Sequence, residues 1–186
     1  MARLWFKQEK LLFAPDVLAA SHPLAKAPDI HELTIDVPGA QLSALHLRLP
    51  APKGVVFFLH GNGGSLESWF INPEFYRRAN YDLFMIDYRG YGKSTGHIES
   101  EAQLRADVRA AWATVAPQYA GRKVVFYGRS LGTGLAAGAA ALPAAHQRTG
   151  AQHPWPADAD PVQPQRHAQD ASSASHAAAH CGCGAQ

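Results

Sequence analysis

The chain contains little cysteine and no long hydrophobic segment. Only two of its 186 residues are cysteines, Cys181 and Cys183, and two neighbouring cysteines give no disulfide framework. Near the N-terminus, Lys7, Glu9 and Lys10 interrupt the apolar residues, which excludes a signal-peptide core or a membrane span there. We therefore expect a cytoplasmic protein with no integral membrane span.

A strong excess of charge of one sign is also absent. The chain has 17 Lys and Arg residues and 15 Asp and Glu residues, which gives a net charge of +2. Basic residues such as Arg77 and Arg105 lie next to acidic ones on predicted helices, as on an ordinary solvated helix face. This distribution is not typical of a nucleic-acid-binding surface, and we expect no nucleic-acid partner.

Two kinds of strand pattern are present in the first half of the chain. Residues 31–37 and 42–49 each alternate polar and apolar side chains, and a Pro-Gly turn separates them, which predicts a β-hairpin. Residues 54–60 and 82–88 are continuous apolar runs instead. Such runs are typical of strands that are covered on both faces in a parallel sheet.

Helices are predicted between these strands. Residues 65–80 should form one crossover helix, and a second helix should begin at Ser100, whose spacing to Gln103 makes a capping box. The side chains expected to pack on the sheet are Leu66, Trp69, Phe70 and Phe75 in the first helix and Leu104, Val108, Ala111, Trp112 and Val115 in the second. A third buried strand follows around Val124, so the order of elements predicts a doubly wound, mostly parallel α/β sheet with an N-terminal β-hairpin.

The segment that follows Val124 carries the strongest functional signal. The predicted strand ends in Gly128-x-Ser130-x-Gly132 and opens into a helix of small residues, a pattern typical of a nucleophile elbow. A sharp turn of this kind lifts the serine Oγ clear of the backbone, and a Cβ at either glycine would collide with the apposed strand and helix. We expect Ser130 to be a nucleophile; the alternative is a chance glycine-rich loop, which the flanking patterns do not favour.

A glycine-rich turn, His60-Gly-Asn-Gly-Gly64, follows the first buried strand. In an acyl-transfer site such a turn lets backbone N–H groups approach a developing oxyanion, so we expect the N–H groups of Asn62 and Leu131 to form an oxyanion hole. The alternative is a turn that merely requires glycine. His60 precedes the nucleophile, so its ring is expected to brace this loop near the substrate instead of acting as the base. Arg89, after the next strand, is a candidate contact for an anionic substrate group.

Three motifs together resemble those of the BEM46-type α/β-hydrolases, serine hydrolases grouped with serine aminopeptidases and lysophospholipase-like hydrolases. They are His60-Gly-Asn-Gly-Gly64, Asp87-Tyr-Arg-Gly-Tyr-Gly-Lys-Ser94 and Gly128-Arg-Ser-Leu-Gly-Thr-Gly134. The resemblance covers about residues 8–140. It implies the α/β-hydrolase fold, an acyl-enzyme at Ser130, a small-molecule acyl substrate that is an ester, thioester or amide, and no cofactor or metal.

The composition changes abruptly near residue 140. The remaining segment is rich in Ala, Pro, His and Gln, and its large apolar residues are Leu142, Trp155 and Val162. Because no strand or helix period is present, this segment does not bury enough surface to offset chain entropy. We interpret residues 1–140 as a partial α/β-hydrolase domain and residues 141–186 as a low-complexity, disordered tail.

The acid and base of a catalytic triad are not identified. In α/β-hydrolases both follow the nucleophile, the acid first and the histidine last. The candidates in the tail are Asp158, Asp160 and Asp170, then His167, His176 and His180. No strands position them, so we expect this chain to be inactive or severely impaired. His176 and His180 with the two cysteines are interpreted as biased composition and not as a metal site.

The abrupt change favours a truncated or frame-shifted second half. Loss of later strands would leave the strand around Val124 at an exposed apolar edge, open to aggregation or pairing. Two alternatives stay open: a non-catalytic remnant or interaction module with a His-rich tail, and complementation by another chain that supplies the acid and base.

The frameshift interpretation predicts what the encoding DNA contains. Read in another frame beyond about residue 140, it should encode strand-patterned sequence with a downstream Asp and then a His. Sequencing the coding region is the measurement, and the absence of such a pattern from both other frames would contradict the interpretation.

Overall fold

A computed structural model describes residues 13–141 of the chain. These residues all lie in the first of the two units into which the chain divides, Met1–Gln152. The disorder expected of the tail, and the acid and base candidates there, lie outside the described residues.

Strands of two sheets are present in this part of the chain. In chain order they are β1 (Ala14–Pro15), β2 (Ile30–Val37), β3 (Ala40–Leu47), β4 (Gly54–Leu59), β5 (Gly63–Gly64), β6 (Asp82–Ile86) and β7 (Lys123–Gly128). Five strands form the central sheet in the order β2-β3-β6-β4-β7, and β1 pairs with β5 separately. The predicted hairpin is confirmed as antiparallel β2 and β3, while β4, β6 and β7 run parallel.

Helices cover both faces of the central sheet. They are α1 (Leu66–Trp69), α2 (Pro73–Ala79), α3 (Glu101–Val115) and α4 (Leu131–Ala140), with a 3₁₀ turn at Ala116–Tyr119. Side chains of α3 and α4 pack on one face, and side chains of α1 and α2 pack on the other. This layering is the α/β arrangement that the sequence predicts. No helix within residues 13–141 is both long enough and apolar enough to cross a bilayer.

Aromatic packing joins α3 to the sheet. The ring centroids of Phe57 in β4 and Phe84 in β6 lie 4.9 Å apart, and Phe57 stacks at 6.0 Å on Trp112 of α3. All five residues of β6 are buried, as expected for a strand covered on both faces. The core on this face therefore fixes the positions of the strands that lead into the candidate site.

The prediction of a single crossover helix over residues 65–80 is wrong. The chain forms the two short helices α1 and α2, because Asn72 adopts a left-handed conformation with φ 57° and Pro73 begins the second helix. Proline lacks the N–H needed inside a helix but is favoured at its first position. Phe75, which was expected to pack on the sheet, is 56% exposed, whereas Leu66 is fully buried.

Helix α3 begins where the sequence predicts. The Ser100 Oγ accepts the N–H of Gln103 at 3.1 Å, while the Gln103 side chain accepts the N–H of Glu99 at 2.8 Å. The reciprocal bond is thus displaced by one residue from that of a standard capping box. The predicted apolar face is confirmed: Leu104, Val108, Ala111, Trp112 and Val115 are all buried.

The third strand, β7, was expected to be buried and is not: it forms an edge of the central sheet in the described part of the chain, and none of its residues is buried. Its outward-facing side chains include Val125 and Tyr127, which are 42% and 50% exposed. An edge strand presents unpaired backbone N–H and C=O groups, and apolar side chains beside them make it a template for pairing with another strand.

We expect the chain to self-associate through this edge, and a charge placed there to weaken the association. The change is Val125→Lys, because lysine on an edge strand opposes edge-to-edge pairing. Light scattering after size-exclusion chromatography measures the mass. Gln118→Lys, at another exposed position, is the control with the same added charge. A wild-type chain that is a monodisperse monomer would contradict this prediction.

Candidate active site

The carboxyl ends of three parallel strands meet at one edge of the sheet. Leu59 of β4 pairs with Gly128 of β7, and Phe58 pairs with Met85 of β6. Beyond these ends the chain enters the glycine-rich turn at His60, the segment that begins at Asp87 and the turn at Ser130. Ligands of open α/β sheets bind at such carboxyl ends.

Ser130 lies in a strained backbone conformation between β7 and α4. Its φ of 53° and ψ of −117° lie outside the regions that residues with side chains prefer, at a cost of about 1–3 kcal/mol. Ser130 is the N-cap of α4, yet its side chain makes no capping hydrogen bond, although serine at this position commonly does. The residue is exposed, so its hydroxyl is available for chemistry.

Two glycines make this turn sterically feasible. A Cβ built on Gly128 would lie 2.1 Å from the carbonyl oxygen of Gly132. A Cβ built on Gly132 would lie 2.0 Å from the carbonyl oxygen of Leu59 and 2.8 Å from that of His60. The collision predicted from the sequence for both glycines is confirmed. Helix α4 can therefore begin directly against the end of β4.

The elbow and the glycine-rich turn are in direct contact. The N–H of Arg129 donates to the Leu59 carbonyl at 3.1 Å, and the Arg129 guanidinium lies 5.2 Å from the centre of the Trp69 ring. A Cβ on Gly61 would lie 3.1 Å from that ring and 3.5 Å from the Arg129 carbonyl. Leu131 is the first residue of α4, so its N–H has no acceptor within the helix. The structure therefore brings the residue before Ser130 into contact with the residue before Asn62, and the oxyanion hole expected of Asn62 and Leu131 stays a prediction.

His60 is fully buried beneath this turn. Its Nδ1 donates to the Gly61 carbonyl at 2.7 Å, and its Nε2 lies 3.5 Å from Oδ1 of Asp87. That Asp87 oxygen also accepts the N–H of Leu66 at 2.8 Å. Burial raises the pKa of Asp87, and the neighbouring His60 opposes the shift. Both side chains are fully buried, so they face each other away from solvent.

Arg89 is engaged by other groups of the protein. Its guanidinium donates to both carboxylate oxygens of Asp107, at 2.6 and 2.9 Å, and to the Pro38 carbonyl at 2.9 Å. The hydrogen bond to Asp107 raises the pKa of Arg89, and both side chains are almost fully buried. The structure pairs the Arg89 guanidinium with the Asp107 carboxylate. The contact expected between Arg89 and an anionic substrate stays a prediction. Sequence reasoning missed Asp107, although a carboxylate between Leu104 and Val108 on an apolar helix face signals a buried cation.

No base for Ser130 is present in the described part of the chain. Within residues 13–141, no histidine nitrogen lies at hydrogen-bond distance from the Ser130 hydroxyl; His22 contacts Glu67, and His46 contacts Tyr119. The same residues contain no group of three or more metal-ligating side chains. The site can therefore present a hydroxyl and backbone donors to an acyl group, but it supplies no described group to accept the serine proton.

A serine on a strand-to-helix elbow, beside a glycine-rich turn at the carboxyl edge of an α/β sheet, defines an α/β-hydrolase. Two solved structures share this fold. An alpha-beta serine hydrolase homologue from Coxiella burnetii is 19% identical with a TM-score of 0.51, over 59% of this chain and 56% of that one. An esterase from Pyrococcus furiosus is 20% identical with a TM-score of 0.51, over 67% of this chain and 49% of that one. The predicted α/β-hydrolase fold, as a partial sheet, is confirmed.

Sequence comparison identifies the family. The family model described as serine aminopeptidase, S33, matches residues 50–151, more than half of the 186 residues. The chain belongs to this family of serine hydrolases. It is also similar to alpha/beta hydrolase domain-containing protein 17B of Xenopus laevis, with 37% identity over 101 residues that cover 51% of this chain and 34% of that protein. The chain thus spans about a third of the length of this curated relative.

Two glycines of α4 give a matched test of the elbow. We expect Gly132→Ala to destabilise the protein by about 3 kcal/mol or more, because its methyl group overlaps the Leu59 carbonyl. Gly134→Ala makes the same change in open space and should stabilise the helix by about 0.5–1 kcal/mol. Urea denaturation followed by circular dichroism measures both, and equal effects of the two substitutions would contradict the close approach.

Proposed function

We propose that this chain carries the nucleophile half of a BEM46-type serine hydrolase. The observation that carries the proposal is the strained, exposed Ser130 on an elbow that only Gly128 and Gly132 permit. Membership in the serine aminopeptidase, S33, family supports it. The substrate class is an ester, thioester or amide of a small acyl group, and the compartment is the cytoplasm.

Ser130 would act by nucleophilic acyl transfer. Its Oγ attacks the carbonyl carbon, and the oxygen that becomes negative is received by the N–H groups of Leu131 and Asn62. Collapse of the tetrahedral intermediate expels the alcohol, thiol or amine and leaves an acyl group on Ser130, which water then removes. Each half of the reaction needs a group to take and return a proton, normally a histidine oriented by an acid.

Turnover by this chain alone is proposed to be near background. Residues 13–141 offer no histidine beside Ser130, and the fully buried ring of His60 already donates from Nδ1 to the Gly61 carbonyl. A truncated or frame-shifted second half, as the sequence indicates, would account for the missing base. A site that lacks its base keeps only the share of catalysis that the oxyanion hole and substrate binding provide.

The exposed edge of β7 favours a second candidate function. A chain that no longer catalyses would retain a half-sheet whose Val125 and Tyr127 face solvent. Such an edge pairs readily with an added strand. On this alternative the chain is a non-catalytic interaction module, and Ser130 has no chemical role.

Chemical rescue separates these functions. Without additives, the wild-type chain should hydrolyse p-nitrophenyl acetate at close to the rate in buffer alone. With imidazole added, the wild-type rate should be about tenfold higher than that of Ser130→Ala, because free imidazole supplies a part of the acceleration that a positioned base would give. Ser21→Ala, at an exposed turn, should behave as the wild type does. The spectrophotometric rate at 400 nm, roughly where nitrophenolate absorbs, is the measurement.

Two outcomes would contradict the proposal. Equal rates for the wild type and Ser130→Ala in imidazole would remove Ser130 as nucleophile and favour the interaction module. Rapid turnover by the wild type without imidazole would show that the chain supplies its own base.

A further inference from the structure

Every backbone carbonyl of the oxyanion loop, defined here as residues 60–64, accepts a hydrogen bond. The donors to the carbonyls of residues 60, 61, 62, 63 and 64 are, in order, the Tyr88 hydroxyl at 2.9 Å, the His60 Nδ1 at 2.7 Å, the Tyr91 hydroxyl at 2.6 Å, the Trp69 Nε1 at 2.5 Å and the Asp16 N–H at 3.0 Å. Four of these five donors are side chains. Three of them, Tyr88, Tyr91 and Trp69, lie outside the loop, so its conformation depends on the packing around it as well as on its own residues.

The orientation of a carbonyl determines that of the N–H in the same peptide unit. The peptide bond is planar and trans, so its C=O and N–H point in opposite directions, and the described residues contain no cis peptide bond. Two peptide units flank Asn62. His60 bonds the Gly61 carbonyl and so holds the peptide unit that contains the Asn62 N–H. Tyr91 bonds the Asn62 carbonyl and so holds the next peptide unit.

Tyr91 makes a double contact with Asn62. Its hydroxyl lies 2.6 Å from the Asn62 carbonyl oxygen and 3.1 Å from the side-chain Oδ1. The N–H of Ala14 in β1 reaches the same carbonyl at the longer distance of 3.2 Å. Tyr91 therefore fixes the carbonyl and the side chain of Asn62, and together with His60 it restrains both peptide units that meet at the Asn62 Cα.

The position of Tyr91 is itself fixed. The residue is 1% exposed, and its ring packs 5.4 Å from the ring of His60 and 5.8 Å from that of Tyr88. The turn that carries it has Gly92 at φ 52°, where a Cβ would lie 1.9 Å from Oδ2 of Asp87. Burial raises the pKa of Tyr91 to about 12, so the hydroxyl keeps its proton at neutral pH. A buried donor with no freedom to move is suited to hold a neighbouring loop in place.

We propose that Tyr91 is a positioning residue of the oxyanion hole, acting on the acyl oxygen through Asn62 and not by contact with substrate. The role of Asn62 rests on the proposed function. The proposal also explains why a tyrosine follows Gly90 in the Asp87–Ser94 motif, a segment for which the reaction itself provides no use.

The test removes the hydroxyl alone, with Tyr91→Phe in the full chain. Hydrogen–deuterium exchange should become about five to ten times faster in the peptide that covers residues 60–64, as expected for loss of one or two hydrogen bonds, while β6 peptides exchange as in the wild type. The dissociation constant of phenylboronic acid, which forms a tetrahedral adduct with a reactive serine, should rise by a similar factor. Tyr81→Phe, on the N-terminal side of β6 and away from the loop, is the matched control and should change neither value.

A second measurement keeps the test decisive if Tyr91→Phe does not fold. In the wild-type chain the Tyr91 hydroxyl proton should exchange slowly with solvent in NMR spectra, because it is buried and bonded to Asn62, and rapid exchange of that proton would overturn the proposal. Unchanged loop exchange in the folded variant would overturn it. Faster loop exchange with unchanged phenylboronic acid affinity would also overturn it, because the hydroxyl would then serve only local stability. A wild-type chain that binds no phenylboronic acid even with imidazole present to accept the serine proton would refute the proposed function, while exchange would still decide whether Tyr91 holds the loop.

Discussion

The close approach of two backbones at Gly132 is the constraint on which the rest of the site depends. With no side chain there, α4 begins against the Leu59 carbonyl at the end of β4. The chain must then turn within a single residue, and Ser130 takes the strained conformation with φ 53°. The same contact places the first N–H of α4 next to the chain that leaves β4. This close approach thus places the Ser130 hydroxyl, the N-terminus of α4 and the oxyanion loop next to one another. It requires glycine at 132, against the Leu59 carbonyl, and at 128, against the Gly132 carbonyl.

The segment from Asp87 to Ser94 connects the parts of the structure around this constraint. Asp87 contacts His60 and the N–H that begins α1. Arg89 pairs with Asp107 of α3, and the Ser94 hydroxyl accepts the N–H of Ser43 in β3 while it donates to the Asp87 carbonyl. Burying polar groups is costly unless they find partners, so the hydrogen bonds that these groups do make favour one arrangement of the strand ends. The sheet positions the site, and this segment holds the loop that completes it.

Local patterns predicted much of this architecture, and contacts between distant residues account for most of what they missed. The hairpin, the buried strands β4 and β6, the apolar face of α3 and the elbow all depend on the spacing of neighbouring residues, which the sequence shows directly. The pairing of Arg89 with Asp107 and of Tyr91 with Asn62 depends on how separate elements pack, which no local period encodes. The break between α1 and α2 is different, because Pro73 signals it locally although the apolar spacing continues across it. The acid and base stay predictions, since their candidates lie outside the described residues.

A crystal structure of the full chain with phenylboronic acid, and with imidazole to accept the serine proton, tests the central claim most directly, because the adduct imitates the tetrahedral intermediate. The account predicts a bond between boron and the Ser130 Oγ, with one boronate oxygen about 2.7–3.1 Å from the backbone nitrogens of Leu131 and Asn62. A boronate oxygen that points away from both nitrogens, or no adduct at Ser130, would contradict the assignment of this elbow and loop as a hydrolytic site.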